Sequence, residues 1–325
     1  MGLIFTALFI VLNLLSPADF YPQLAGTRYN LIVAFLAMGF SIPGLIKAQP
    51  WRLVQSVFWF GVLFIAMVSS VINGWAGGSI VAANSFITAA AVFFLIMANC
   101  TTLSKIRFIS ATAILCSIFF VNFGSYAVAR AEAMVNPQNL PDLLQKFVLW
   151  QSVDPDKLAG ATSAAQYGGL RMWLCRMRAL GELSDPNDLG QFLLVCLMLL
   201  WLWYVPGKKS RTFFLILLPS AYLLYGIGLT HSRGALVALG LVLALVIRKK
   251  LGTIGAALMS SAMALGVLAV GFTGGRGISS EEGADRMSAW SEGFQMLKAR
   301  PIVGVGLDQF KDHYEITAHN SFVLC

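Results

Sequence analysis

Charge is scarce in this sequence. Asp, Glu, Lys and Arg together make up 12% of its 325 residues, against about 25% in soluble proteins. Hydrophobic residues make up 58%. That balance excludes a water-soluble globular chain and points to an integral membrane protein. Cysteine is sparse and scattered. None of Cys100, Cys116, Cys175, Cys196 and Cys325 forms a CxxC pair, so zinc and thioredoxin-type chemistry lack support. Cys100, Cys116 and Cys196 lie in or beside apolar runs, where cysteine behaves as a small hydrophobe. Histidine occurs only at positions 231, 313 and 319. A positively charged leader is missing, so no cleaved signal peptide is expected. The start, "MGLIFT", fits a bare myristoylation pattern. The apolar run that follows makes such an anchor redundant.

Apolar runs fall at 3–15, 29–46, 53–72, 80–98, 108–123, 189–205, 212–230, 234–247 and 252–272. They predict an all-α, polytopic membrane fold with about nine transmembrane helices. The first and eighth runs are short for a span.

Acidic residues are absent from every second loop. With the N-terminus in the cytoplasm, the inner loops hold Lys47, Arg52, Lys105, Arg107, Lys208, Lys209, Arg211, Arg248, Lys249 and Lys250, with no Asp or Glu. All 15 acidic residues then fall outside. The positive-inside rule favours this orientation. The basic charge is spread over loops rather than gathered on one soluble face, so nucleic acid is not an expected partner. The expected organisation is N-terminal spans over 1–123, a periplasmic loop at 124–188, central spans over 189–272, and a second periplasmic segment at 273–325.

Four outer stretches could carry chemistry. "THSRGALVALG" places His231 and Arg233 at the mouth of a helix. Arg233 there is either an interface anchor snorkelling to headgroups or a ligand for a substrate. "RMRALGELSDPNDLGQF" carries a helix start: Asp185 caps, Pro186 takes the first position, and Asp188 sits in the first turn. Arg178 lies seven residues before that cap. Met287, Trp290, Phe294 and Leu297 form an apolar stripe on a helix that Ser280 could cap. Such a helix either lies on the membrane face or packs as a surface helix. Arg286 precedes Trp290 by one turn and shares its face. "GVG" at 304–306 lacks a third glycine and a βαβ unit, so it reads as a tight turn. The fourth stretch is "ITAHNSFVLC". Its histidine, His319, is a base, a structural residue or merely solvated.

Taken in order, these stretches resemble the bacterial O-antigen ligase and polymerase superfamily. The matching residues are Arg178, Gly181, Asp185, Pro186, Asn187 and Gly190; then Thr230 to Ala235; then Arg286, Trp290, Pro301, Gly304 and Gly306; and last Ala318, His319 and Asn320. The resemblance covers 178–325. The opening "SPADFYPQLAGTRYN" looks like the branch associated with exosortase systems. Superfamily members continue past the Ala-His-Asn motif into further spans. This sequence ends six residues after His319, so a fragment or truncated product is expected.

The resemblance implies glycan transfer on the periplasmic face of the bacterial inner membrane. The implied donor is a glycan on undecaprenyl pyrophosphate. The acceptor is a hydroxyl of a glycan, of lipid A-core or of a protein. Arg233 and Arg286, with Arg178 as a third contact, would hold the pyrophosphate. Arginine's fork is the best side-chain match to that group. His319 would take the acceptor's proton, and such a base contributes roughly 10²–10⁴ in rate. His231, Asn187 and Asn320 would support them. Attack opposite the pyrophosphate inverts the anomeric centre. No carboxylate cluster or metal-ligand spacing appears, so no metal and no cofactor are expected. The rival class is a transporter or flippase for an anionic lipid-linked substrate. It would call for internal repeats and polar groups within the spans.

Overall fold

The computed structural model describes residues 1–133, 139–153, 172–269, 280–307 and 309–314. The chain divides into two compact units. Its main helices are α1 (Gly2–Leu15), α2 (Tyr29–Ala48), α3 (Val54–Ile72), α4 (Gly78–Asn99), α5 (Leu103–Glu132), α6 (Pro186–Leu199), α7 (Leu218–Thr230), α8 (Arg233–Ala269) and α9 (Ser280–Ala299). Among the described residues, six helices are long and apolar enough to cross a membrane: α2 to α5, Pro186–Trp203 and Lys209–Thr230. The last of these enters α7 through a π turn at Phe213–Leu217. α1 and Arg233–Val246 are shorter apolar helices. Inside α8, Gly252 has φ 70° and ψ 178°, so two helical pieces meet there. The break separates the eighth and ninth apolar runs of the sequence.

Two features differ from the sequence reading. First, α5 runs on to Glu132, so the loop expected from position 124 starts nine residues later. Second, that loop contains a β-ribbon. β1 (Val148–Val153) pairs antiparallel with β2 (Met172–Met177), Val148 opposite Met177 and Leu149 opposite Arg176. Among the described residues the fold is all-α but for this ribbon.

The larger unit, residues 7–33 and 102–277, holds the ribbon and most of the core. α6 packs on α5, α7 and the start of α8, and β2 packs on α5 and α7. Phe120 and Val121 from α5 meet Leu189 and Leu193 from α6 and Leu223 and Ile227 from α7, all almost fully buried. A Cβ on Gly226 would lie 2.4 Å from Val121 Cγ2, so glycine lets α7 seat directly on α5. Close backbone approach of this kind is how membrane helices gain packing contacts without a hydrophobic drive.

Both ends of this unit are defined by polar contacts. At one, Arg107 Nε donates to Leu202 O at 2.8 Å, near Lys208 and Lys209 in the chain. At the other, Lys146 Nζ donates to Asp19 O at 2.7 Å and lies 3.6 Å from the Asp19 carboxylate. Phe123 stacks on Phe147 there, with centroids 5.7 Å apart, and Phe20 lies 6.3 Å from Phe147.

The smaller unit, residues 1–6, 34–101 and 278–325, is organised by α3 and α4, joined edge-to-face through Trp59 and Phe86. A buried polar knot crosses it. Asn99 Nδ2 donates to Ser41 Oγ at 2.7 Å and to Thr6 Oγ1 at 3.2 Å. Large apolar side chains on the outside of α2 and α3, such as Phe35, Phe58 and Phe64, remain exposed. That surface suits a lipid environment.

Candidate functional site

The stretch Thr230–Ala235 folds as a helix–turn–helix junction. α7 stops because His231 adopts a left-handed conformation, φ 48° and ψ 34°, and its N–H bonds Gly228 O at 3.0 Å. Such a conformation costs an L-residue about 1–2 kcal/mol, so the turn is held by its neighbours. Ser232 is fully buried and caps α8, its Oγ accepting from Ala235 N at 3.2 Å. Thr230, also fully buried, accepts from Ser232 N at 3.3 Å. Arg233 therefore occupies the first helical position of α8, half-buried. Backbone N–H groups and the positive end of the helix dipole converge at such a position. A guanidinium added to them makes a local preference for an anion.

α6 begins beside this junction. Asp185 caps it, accepting from Asn187 N at 2.6 Å, with Pro186 at the first position. This is the helix start the sequence predicts. Gly190 sets the packing distance: a Cβ there would stand 2.9 Å from Ala235 Cβ, 3.1 Å from Ser232 Cβ and 3.2 Å from Thr230 Oγ1. Only glycine lets α6 lie this close to the turn carrying Arg233.

β2 supplies the third side. Arg176 is buried, its Nε donating to Thr230 O at 3.0 Å and its Nη2 to Asn187 Oδ1 at 3.1 Å. One guanidinium thus joins the end of α7 to the start of α6. The sequence reading passed over Arg176 and chose Arg178. Arg178 is half-buried at the edge of the ribbon, its Nη2 donating to Gln145 O at 3.2 Å, and burial lowers its pKa from the usual arginine value. Asn187, expected to support the substrate site, accepts through its carbonyl oxygen from Arg176. No local signal singles out Arg176: β2 ends at Met177, so Arg178 lies just past the strand and only the pairing shows which arginine faces the junction. Cys175, next to Arg176 on the opposite face of β2, is buried, and burial followed by the nearby Glu132 charge pushes its thiol pKa up to about 12.

The smaller unit carries the other motifs. α9 starts at Ser280, so the residue expected as its cap is instead its first helical residue, and it buries Ala289 and Gly293. Ala289 clusters with Phe310 and, more loosely, with Trp290, Met296 and Tyr314. Met287, Phe294 and Leu297 face outward, 63%, 54% and 43% exposed, so of the stripe Trp290 alone packs against this cluster. The glycine turn has φ 61° at Gly304 and 108° at Gly306, which suits glycine. It docks on α3: Asn73 Nδ2 donates to Gly304 O at 3.2 Å, and Ser69 Oγ donates to Val303 O. Neither Ser69 nor Asn73 stood out in the sequence. Arg286 lies in α9, but its side chain is outside the described residues, as are His319 and Asn320.

Span-length apolar helices and polar motifs at their ends define a multi-pass membrane protein. Residues 218–323 match the family described as O-Antigen ligase. That segment is similar to the O-antigen ligase family and supports the likeness to the O-antigen ligase and polymerase superfamily. The match includes Arg233, Arg286 and His319 and starts after Arg176, Arg178 and the α6 cap. Comparisons with curated proteins and with solved structures give no match. The match supports an enzyme of the membrane glycan-transfer type.

Proposed function

We propose that this protein transfers a glycan from undecaprenyl pyrophosphate to an acceptor hydroxyl at the periplasmic face of the bacterial inner membrane. The acceptor class is a sugar hydroxyl of a glycan or of lipid A-core, or a protein hydroxyl. One observation carries the reading: Arg233 opens α8 on a turn fixed from both sides, by Ser232 capping and by Arg176 holding Thr230 O. A preorganised guanidinium at a helix N-terminus fits a pyrophosphate leaving group, whose charge must be matched near hydrocarbon. It stabilises the charge that grows as the glycosidic bond breaks, without reorganising during the step.

The remaining roles come from the resemblance. Arg286 is a second pyrophosphate ligand, and His319 takes the proton of the attacking hydroxyl. Direct attack opposite the leaving group inverts the anomeric carbon. The proton ends on His319, and the electron pair of the broken bond leaves with the lipid pyrophosphate. Arg178, tied to Gln145, is an outer contact at most.

The test is reconstitution with a lipid-linked glycan of known anomeric configuration. Inverted product, together with released undecaprenyl pyrophosphate, supports the reading. Retained configuration, or movement of intact lipid-linked donor across the bilayer without transfer, refutes it; the second outcome would indicate a flippase.

A further inference from the structure

In the larger unit, at the end that carries Arg176 and Asp19, an open cleft of about 320 Å³ lies between α1, the start of α2 and the segment leading into α6. Its lining is Leu12, Asn13, Ser16, Asn30, Gly181, Glu182 and Ser184. The sequence reading assigned it nothing. Its size is at the lower end of the roughly 300–1,000 Å³ of small-molecule sites, but its lining is polar where such sites are commonly apolar.

The chemistry of that lining is one-sided. Among the described residues its lining has no Lys or Arg and carries the Glu182 carboxylate, so it offers no cation to a phosphate. Its side chains are rich in acceptors: two amide carbonyls, two hydroxyls and a carboxylate. Asn13 donates one amide N–H to Phe9 O at 2.7 Å, and its carbonyl oxygen is a further acceptor. Asn30 Oδ1 is buried and has no hydrogen-bond partner among the described residues. A buried acceptor without a donor is costly, about 1–3 kcal/mol, and calls for a donor from outside the chain.

We propose that this cleft binds a neutral sugar residue, whose hydroxyls supply the missing donors. The reading rests on the glycan-transfer function for its use: the cleft would hold a sugar of donor or acceptor while arginine holds the pyrophosphate elsewhere. Position supports that division. Ser184 immediately precedes Asp185, the cap of α6, and Asn187 two residues further on accepts from Arg176. A sugar seated on Glu182 and Ser184 thus bears on the segment that orders the arginine junction.

The experiment is saturation-transfer NMR on the full chain in lipid nanodiscs, with cellobiose, maltose and N,N′-diacetylchitobiose as probes and inorganic pyrophosphate as competitor. At least one disaccharide should bind. Asn30→Ala should weaken it about tenfold, the loss of one buried hydrogen bond. Ser184→Trp, at an exposed rim position, should abolish binding while leaving the unfolding temperature unchanged. Pyrophosphate should not displace the sugar. Absence of binding by all three probes, binding unaltered in both variants, or displacement by pyrophosphate would overturn the proposal. Sugar binding that follows the variants in a protein without transfer activity would sink the glycan-transfer reading and leave the cleft assignment standing.

Discussion

Arg176 Nε lies 3.0 Å from the carbonyl oxygen of Thr230, the last residue of α7. The next three residues are the strained His231, the capping Ser232 and Arg233. Arg176 is thus a positioning residue: it fixes the turn from which Arg233 projects, and its other bond fixes the start of α6. Two hydrogen bonds from a charged donor contribute about 1.5–3 kcal/mol each. Arg176→Ala should therefore cost about 3 kcal/mol or more, read as a lower unfolding temperature in detergent. Arg176→Lys should recover only part of this, because an ammonium cannot span both acceptors in the geometry of a guanidinium fork. Unchanged stability in Arg176→Ala would remove the positioning role.

Gly190 and Ala235 make a testable pair. The 2.9 Å approach of a Cβ at 190 to Ala235 Cβ leaves no room for a methyl group. Gly190→Ala should destabilise by about 1–3 kcal/mol, the usual cost of overpacking. Adding Ala235→Gly should return part of that loss, a coupling that a double-mutant cycle measures. Simple additivity of the two changes would show that the close contact does not set the packing.

His231 separates backbone from side chain. Its φ of 48° favours glycine or asparagine and penalises a β-branched residue. If the turn alone matters, His231→Gly should keep fold and activity, while His231→Val should lose both. Loss of activity in a well-folded His231→Gly protein would instead give the imidazole a role at the substrate.

These contacts show how unevenly the molecule could be read from its sequence. The spans were legible because membrane burial demands long apolar runs, and the α6 start because Asp185 and Pro186 each have one favoured place at a helix N-terminus. The ribbon was not. Its strands, "VLWQSV" and "MWLCRM", lack a clean polar alternation, and 18 residues separate them. Without a short turn signal nothing marked them as partners. Arg176 was missed with the ribbon, since only pairing shows which arginine faces the junction. The docking of Val303 and Gly304 on Ser69 and Asn73 joins residues more than 230 positions apart, a relation local patterns do not contain.

The Cys175 thiol, raised to about 12 and 4% exposed, is neutral at pH 8. Thiolate is the reactive form, so a maleimide should spare Cys175 at that pH in the folded protein and label it after denaturation. The sign is fixed: raising the pH toward 9 should not release it, because the shift keeps it protonated well beyond the ordinary cysteine range. Rapid labelling at pH 8 in the native state would contradict its placement between the ribbon and α5.

The central claim is that Arg233 holds a pyrophosphate. Its most direct test is binding of undecaprenyl pyrophosphate, without glycan or acceptor, to nanodisc-embedded protein carrying Arg233, Arg233→Lys or Arg233→Ala. Loss of a charge-assisted bidentate contact of about 1.5–3 kcal/mol predicts roughly 10- to 100-fold weaker binding in Arg233→Ala. Arg233→Lys should fall between, and undecaprenol, which lacks the pyrophosphate, should bind all three alike. Equal affinity of Arg233 and Arg233→Ala for undecaprenyl pyrophosphate would contradict the account and leave Arg233 as an interface anchor.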